Sequence, residues 1–315
     1  MASMYLALGY RCNHHCFFCP CGLNAVKTDA ASTEQLIAAI DQGIQEQKID
    51  HITISGGEPT CHPSFNRIVR YCVEKGLLVG ILSNGDNFGN FERCKQFFEG
   101  VDLRRVSVTT AVHSDLQELF EAVTRVPGSY QRTIDGISNL RRIGVSVTVK
   151  QVISRWNYQR LENFIDFVYR HYGPGVSLTL CGMDFCGMKA TAIERVAVGY
   201  KEISPYLENA LDLVLDLRRR FFAFPEVTVA DLPLCCVDPA YWGFFAIVSK
   251  GSLSQYSAPG KDRDTISVFT NVVSDCNVFA DACRGCVVSD SCPGIWKTAY
   301  DYFGDKEFSR ILPMA

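Results

Sequence analysis

The sequence predicts an α/β protein in which helices cover a sheet of parallel strands. Three observations support this fold class. Short, nearly continuous apolar stretches alternate with longer stretches of helical periodicity along the first two thirds of the chain. The strand-sized stretches lack the polar alternation of a sheet with one face in water. Their number is six rather than eight, so we expect a partial (β/α)6 TIM-like barrel, with an open doubly wound sheet as the alternative.

Local signals define the elements in order. The strands are short apolar runs that end at turn residues, as at Asn84-Gly85. The first helix begins with a capping box formed by Ser32 and Gln35, and later helices end at a glycine such as Gly76. Strands are predicted at residues 4–10, 51–55, 77–85, 104–113, 145–154 and 175–183, and helices at residues 31–47, 63–76, 90–100, 128–144, 158–172 and about 196–220.

The bulk composition argues against several classes of function. The formal net charge of −3 and the lack of a basic tract disfavour a nucleic-acid-binding scaffold. The amino terminus lacks the charged region of a signal peptide, and no apolar stretch approaches the ~20 residues that span a bilayer. We therefore expect a cytoplasmic protein without a membrane contact. In a reducing compartment, the 15 cysteines indicate metal ligation, redox chemistry or packing rather than disulfides.

Three cysteines follow the first predicted strand at the spacing C-x3-C-x2-C. Cys12, Cys16 and Cys19 can bind three irons of a [4Fe–4S] cluster and leave the fourth iron open. Zinc is the competing metal, and it needs a fourth donor, for which His14, His15 or Cys21 is available. The position at the carboxyl end of a strand favours the cluster.

A glycine-rich turn follows the second predicted strand. Gly56, Gly57, Glu58 and Pro59 combine a backbone that can approach a ligand closely with acceptors for a cationic amino group. An ordinary strand-to-helix turn, with the proline near the start of a helix, is the alternative. The ligand-binding interpretation is strengthened by the cysteine motif one β-α unit earlier.

These motifs resemble those of the radical S-adenosylmethionine (SAM) superfamily. The resemblance rests on the three cysteines, the GGEP turn and Ser83-Asn84 after the third strand, and it covers roughly residues 4–182. It implies a partial barrel in which three thiolates hold a [4Fe–4S] cluster, SAM chelates the fourth iron, the GGEP backbone receives the SAM amino group and Phe18 lies near the adenine. The implied activity is reductive cleavage of SAM to a 5′-deoxyadenosyl radical that abstracts hydrogen from a substrate, with an electron donor such as flavodoxin or ferredoxin.

Further SAM contacts are expected on later strands. Ser107 and Thr109 on the fourth strand and Lys150 or Gln151 on the fifth are predicted to face the barrel interior. Members of the superfamily often place such residues against the SAM carboxylate and ribose. A lysine at a core-facing position is costly unless it is paired, which makes Lys150 more informative than a surface lysine.

The chain becomes loop-rich after residue 224 and contains a second cysteine motif there. Cys283, Cys286 and Cys292 have the spacing C-x2-C-x5-C, and Cys235 is the expected fourth ligand, with Cys236 and Cys276 as rivals. The pattern resembles the twitch or SPASM-type extensions of radical SAM enzymes, which implies one auxiliary [4Fe–4S] cluster. Structural zinc on the same thiols is the alternative. We therefore predict a barrel domain at residues 1–224 and an auxiliary cluster domain at residues 225–315.

The wider layout resembles maturases of ribosomal peptides, especially those of the His-Xaa-Ser type. We therefore expect an enzyme that abstracts hydrogen from a peptide and forms an oxidative cross-link. One alternative is a radical SAM enzyme that acts on a nucleoside or sugar metabolite in natural-product biosynthesis, and another is a zinc-binding interaction module. Asp184 and Cys186, in the loop after the sixth strand, are the candidate catalytic residues, although Asp184 also suits a loop-capping role.

Overall fold

A computed structural model of the chain describes residues 2–19, 31–221, 226–246, 255–259, 266–270 and 277–312. The strands are β1 (Ser3–Ala7), β2 (His51–Ser55), β3 (Leu78–Ser83), β4 (Val106–Ala111), β5 (Ser146–Val152), β6 (Ser177–Cys181), β7 (Val227–Ala230), β8 (Gln255–Pro259), β9 (Ile266–Thr270), β10 (Asn277–Val278) and β11 (Ile295–Trp296). The α-helices are α1 (Thr33–Gln47), α2 (Phe65–Glu74), α3 (Phe91–Phe97), α4 (Gln117–Thr124), α5 (Ser129–Arg142), α6 (Leu161–Tyr172), α7 (Ala190–Val196), α8 (Tyr200–Phe221) and α9 (Lys297–Phe303). None of these described helices is both long and apolar enough to cross a lipid bilayer.

The chain forms two compact units. The first unit comprises Met1–Val112, Leu116–Thr148 and Gly251–Val273, and the second comprises His113–Asp115, Val149–Lys250 and Ser274–Ala315. β5 begins in the first unit and ends in the second. The predicted division into functional domains at residues 1–224 and 225–315 stays a prediction.

The first unit is built on a sheet with the strand order β4-β3-β2-β1-β8-β9. β1 to β4 pair in parallel, as expected for strands that are connected by helices, and β8 pairs in parallel with β1 and antiparallel with β9. Leu6, Ile52 and Ile81 of the central strands are fully buried. Because β1 to β3 are parallel, the loops that follow Ala7, Ser55 and Ser83 lie at the same edge of the sheet.

The second unit contains the parallel pair of β6 and β7 and the short antiparallel pair of β10 and β11. α6 packs against α8. The buried residues Leu161 and Phe164 on α6 and Leu207 and Leu211 on α8 supply part of its apolar core. This spacing of three or four residues is the one that places side chains on one face of a helix.

The structure refines several of the predicted elements. The capping box is present, since the Ser32 hydroxyl accepts the Gln35 N–H and the Gln35 side chain accepts the Ser32 N–H. The long helix predicted at about residues 196–220 is α8, which begins at Tyr200 because the backbone is extended at Ala197, after the end of α7. α4 was not predicted. It is short, and its first turn has no side-chain cap that would have marked it in the sequence.

A glycine in α5 permits close contact with the loop after β3, which leads to a stability prediction. A Cβ at Gly136 would lie 2.2 Å from the Gly85 carbonyl oxygen. We expect Gly136→Ala to lower the free energy of unfolding by about 1–3 kcal/mol, because overpacking outweighs the better helix propensity of alanine. Chemical denaturation followed by circular dichroism measures this change. The control is Gly243→Ala, whose Cβ would meet no atom within 4 Å. Equal stability of the two variants would contradict the close contact.

Candidate functional site

The cysteine loop after β1 is held by backbone hydrogen bonds to the end of α4. The His15 N–H donates to the Thr124 carbonyl oxygen at 2.9 Å, and the Phe17 N–H donates to that of Val123 at 3.3 Å. Carbonyl groups in the last turn of a helix have no partner within the helix. The loop therefore satisfies hydrogen-bond acceptors that α4 leaves open.

Cys12, Cys16 and Cys19 lie in this loop with partly exposed side chains. Cys12 Sγ accepts hydrogen bonds from the His14 N–H at 3.4 Å and from Asn84 Nδ2 at 3.8 Å. Burial raises the pKa of Cys12 and of Cys16 to about 12, with a smaller contribution from the neighbouring cysteines. Cys19 contributes to both pKa shifts and Cys12 to that of Cys16, so the three thiols are close enough to interact electrostatically. Thiols become metal ligands as thiolates, so a bound group must supply positive charge here.

The two glycines of the GGEP turn lie against the cysteine loop itself. The Gly57 N–H donates to the Gly9 carbonyl oxygen at 2.8 Å, and the Glu58 N–H donates to that of Arg11 at 2.9 Å. An added Cβ would lie 2.3 Å from the Gly9 oxygen at Gly56 and 2.4 Å from the Arg11 oxygen at Gly57. Gly56 also has a φ of +124°, which side chains disfavour. The approach of the cysteine loop therefore requires both glycines, independently of any ligand.

Glu58 is a buried carboxylate at the centre of the site, with 3% of its surface exposed. It accepts hydrogen bonds from the N–H and hydroxyl of Thr60, from Ser83 Oγ at 2.9 Å and from the Asn84 N–H at 2.8 Å. Burial raises its pKa, although these hydrogen bonds oppose the change. Glu58 thus joins the ends of β2 and β3. Pro59 follows it at the start of a buried 3-10 turn, and the contact of both residues with SAM stays a prediction.

The residues after β3 connect the GGEP turn to the cysteine loop. Asn84 Nδ2 donates to Asn13 Oδ1 at 2.8 Å, in addition to its contact with the first cysteine. Asp86 Oδ2 lies 3.0 Å from His14 Nε2 and 2.9 Å from Arg132 Nη2. The sequence patterns did not point to Asp86 or Arg132, because only the fold brings α5 next to this loop.

Aromatic side chains line one side of the cysteine loop. Phe17 and Phe18 are buried, and their ring centroids lie 5.2 Å apart in an edge-to-face arrangement. The Arg125 guanidinium lies 5.5 Å from the centroid of Phe17. The predicted contact of Phe18 with the adenine stays a prediction.

Ser107 and Thr109 lie on the less buried face of β4. The opposite face carries Val106, Val108 and Thr110, which are buried. The alternation follows from the two-residue period of a strand. Contacts of Ser107 and Thr109 with SAM stay a prediction.

Lys150 has acidic and thiol partners within the second unit. Its ammonium group interacts electrostatically with Cys181 at the end of β6 and with Asp231 after β7. Cys181 Sγ donates to Asp231 Oδ2 at 2.9 Å. Burial lowers the pKa of Lys150, but Cys181 and Asp231 outweigh it and raise the pKa above its ordinary value. The fold thus supplies the pairing that a lysine at such a position requires.

Asp184 and Cys186 lie in the loop after β6. Asp184 Oδ1 accepts hydrogen bonds from the Cys186 N–H at 2.9 Å and from Thr298 Oγ1 at 2.7 Å. These contacts fit the loop-capping interpretation of Asp184. The Cys186 side chain is exposed, and a catalytic role for either residue stays a prediction.

The second cysteine motif is gathered in the second unit. Cys235, Cys283, Cys286 and Cys292 are partly exposed, whereas the rival Cys236 is buried. Burial raises the pKa of Cys235 and of Cys283, and the nearby thiol of Cys292 adds to both shifts. Cys283 also contributes to the pKa shift of Cys235, and Cys286 to that of Cys283, so electrostatic interactions link all four thiols. Two further candidates, Cys21 and Cys276, lie outside the described residues.

Both groups of thiols have the donor chemistry of an iron–sulfur cluster site. In the described part of the chain, no three His, Cys, Asp or Glu side chains converge on a point where one metal ion would bind. A [4Fe–4S] cluster binds each thiolate to a different iron, so its ligands are more widely spaced than those of a single ion. The donor type and the loop placement therefore fit a cluster.

Comparison with known protein families and curated proteins finds one matching family and several similar proteins. The family model for the Radical SAM superfamily matches residues 6–168. The probable GTP 3′,8-cyclase of Sulfurisphaera tokodaii is 28% identical over 168 residues, which make up 52% of this chain and 51% of that protein. The mycofactocin maturase MftC of Mycobacterium tuberculosis is 27% identical over 173 residues, or 55% of this chain and 42% of that protein. The chain spans about half the length of the curated relatives it matches.

The fold of the chain is similar to that of solved structures. The crystal structure of Streptococcus suis SuiB bound to its precursor peptide SuiA matches with a TM-score of 0.65, over 98% of this chain and 74% of that chain, at 12% sequence identity. This likeness confirms the predicted α/β fold class of a partial barrel.

The packing of the GGEP turn yields a prediction about the cysteine loop. Gly57→Ala places a Cβ against the loop backbone, so we expect the loop to move outward and its thiols to become more accessible. In the metal-free protein, Cys12, Cys16 and Cys19 should then react several-fold faster with iodoacetamide, as measured by mass spectrometry of the labelled peptides. Gly80→Ala on β3 is the control, since its Cβ would be 3.5 Å from the nearest atom. An unchanged labelling rate in Gly57→Ala would show that the glycine is not needed for the loop.

Proposed function

Because the chain belongs to the radical SAM superfamily, we propose that it is a peptide maturase, which uses SAM to abstract a hydrogen atom from a peptide and forms an oxidative cross-link. Membership in this superfamily makes the chain an enzyme, and it implies a [4Fe–4S] cluster and SAM. The observation that carries the proposal is the junction of the cysteine loop and the GGEP turn, which share two backbone hydrogen bonds beyond β1 and β2.

The residues proposed to bind cofactors fall into two groups, one for the cluster and one for SAM. Cys12, Cys16 and Cys19 would hold the cluster. The SAM contacts would come from the GGEP backbone (Gly56, Gly57, Glu58 and Pro59) and from Phe18, Ser83, Asn84, Ser107, Thr109 and Lys150. When bound, the cluster and SAM supply the electron and the 5′-deoxyadenosyl radical that hydrogen abstraction needs.

The chain's own part is to hold and shield these groups. The backbone bonds to α4 and to the GGEP turn fix the loop that carries the thiols. Phe17 and Phe18 keep water from one side of it, which limits side reactions of a reactive radical. A one-electron donor such as flavodoxin or ferredoxin is part of the proposal, and a cytoplasmic location would provide both that donor and reduced thiols.

We further propose one auxiliary [4Fe–4S] cluster on Cys235, Cys283, Cys286 and Cys292, within an auxiliary domain at residues 225–315. The proximity of these partly exposed thiols supports it. Four protein thiolates leave no iron open for SAM. An oxidative cross-link removes one electron and one proton from the substrate beyond the abstracted hydrogen atom; this cluster is the proposed acceptor of the electron, and the proton passes to solvent.

A peptide substrate is favoured over a small metabolite. MftC is named as a maturase, and SuiB is bound to a precursor peptide in its crystal structure. The GTP 3′,8-cyclase relative supports the alternative of a nucleotide-like substrate. Both curated relatives align over 52–55% of this chain, whereas the fold likeness to SuiB extends over 98% of it. The longer match is our reason for preferring the peptide.

The cluster assignment predicts the outcome of removing the first three thiols. Wild-type protein, reconstituted without oxygen and reduced, should convert SAM to methionine and 5′-deoxyadenosine. The variant with Cys12, Cys16 and Cys19 replaced by Ala should lose this cleavage, because no thiolate remains to hold the iron next to SAM. Liquid chromatography of 5′-deoxyadenosine measures it. Cys94→Ala, at a buried position on α3, is the control. SAM cleavage that survives in the triple variant would overturn the assignment.

The proposed auxiliary cluster predicts a loss of iron and of peptide modification when its ligands are replaced. Wild-type protein should bind about eight irons per chain, and replacing Cys283 and Cys286 by Ala should remove about half of them. SAM cleavage should persist in that variant, whereas a precursor peptide encoded near the gene should no longer lose the two hydrogens of a cross-link. Iron analysis and mass spectrometry of the peptide measure these effects. Unchanged iron would exclude the auxiliary site, and modification of a nucleoside instead of the peptide would favour the alternative substrate.

A further inference from the structure

We infer that Asp86 is a positioning residue for the cluster-binding loop, and that it maintains the two hydrogen-bond donors that face Cys12. The inference rests on the proposed function, because it concerns the cluster expected on Cys12, Cys16 and Cys19. It goes beyond that function by assigning a role to a carboxylate that binds neither iron nor SAM.

Asp86 is a buried carboxylate between the cysteine loop and α5. Its side chain is 9% exposed, and that of its partner His14 is 2% exposed. Arg132 binds the same carboxylate through Nε, 3.0 Å from Oδ1, and through Nη2. The His14 ring also packs edge-on against Phe120 at 6.5 Å. Arg132 pairs the charge of the carboxylate, and the hydrogen bond to Asp86 together with the contact with Phe120 holds the His14 ring in one place.

Both donors to Cys12 depend on Asp86. The first is the His14 N–H, 3.4 Å from Cys12 Sγ, and the ring of that residue is the group that Asp86 holds. The second is Asn84 Nδ2, 3.8 Å from Cys12 Sγ. The Asp86 N–H donates to Asn84 Oδ1 at 3.0 Å, which turns the other end of the amide towards Cys12 and Asn13. One donor is therefore set by the Asp86 side chain and the other by its backbone.

Hydrogen bonds to a ligating sulfur are among the factors that set the potential of an iron–sulfur cluster. An N–H donor stabilises negative charge on the thiolate, and the reduced cluster carries more of that charge. Loss of the donors to Cys12 should therefore lower the reduction potential of the cluster. Mutation of residues that hydrogen-bond to the ligands of a metal site commonly lowers activity by about 10–100-fold.

Asp86→Asn tests the part of this role that belongs to the side chain, because it keeps the shape, removes the charge that holds His14 and leaves the backbone N–H that holds Asn84. In reconstituted full-length protein we expect unchanged iron content and a lower midpoint potential for the cluster whose EPR signal responds to SAM. SAM cleavage should slow about 10–100-fold. The matched control is Asp115→Asn, a carboxylate that is also 9% exposed and is paired with Arg160 in the second unit. The control should leave the potential and the rate unchanged.

A wild-type potential and EPR spectrum in Asp86→Asn would overturn the inference, even if the rate fell. If that variant loses its iron, Asn84→Leu decides, because it removes one donor to Cys12 and leaves the carboxylate in place. An unchanged potential in Asn84→Leu would also overturn the inference. The proposed function fails separately, if wild-type protein neither binds a cluster nor cleaves SAM.

Discussion

The buried carboxylate of Glu58 is the interaction on which the candidate site depends. It binds both residues at the end of β3, 25 and 26 positions further along the chain, and so fixes the distance between two strand ends. The N–H and hydroxyl of Thr60 bind the same carboxyl group, so four hydrogen bonds fix its position. From this anchor, the backbone of the same turn binds the cysteine loop through two further hydrogen bonds. The loops after β1, β2 and β3 are separate in sequence, and this turn holds them together. The strands that precede these loops carry the buried apolar core.

Local signals in the sequence were sufficient for much of the fold. The capping box at Ser32, the strand at residues 51–55 and the parallel alternation of strands and helices depend on neighbouring residues, and these features are present in the structure. α4 lacked such a signal, and the break before α8 depends on the backbone conformation at Ala197. The same limit applies to the site. Spacing identified the thiols, whereas the contact of Asp86 with Arg132 joins residues 46 positions apart.

For two features of the predicted site, the structure keeps the constraint that the sequence indicates but gives it a different physical reason. The sequence predicts that the glycines of the GGEP turn let a ligand approach the backbone. In the structure, the backbone that approaches them is that of the cysteine loop. A core-facing lysine such as Lys150 needs a partner, and the groups that interact with it are Cys181 and Asp231, the latter 81 positions later. A pattern in the sequence reveals that a position is constrained, but only the fold reveals which neighbour imposes the constraint.

The hydrogen bonds between α4 and the cysteine loop also restrict how this region can be rebuilt. α4 ends at Thr124, where Arg125 takes a left-handed conformation with a φ of +57°. Successive residues of an α-helix are rotated by about 100°. Inserting or deleting one residue within α4 would therefore turn the Val123 and Thr124 carbonyl groups away from the loop. A graft of the cysteine motif onto another barrel has to bring this helix with it, at its present length, even though the helix holds none of the motif's residues.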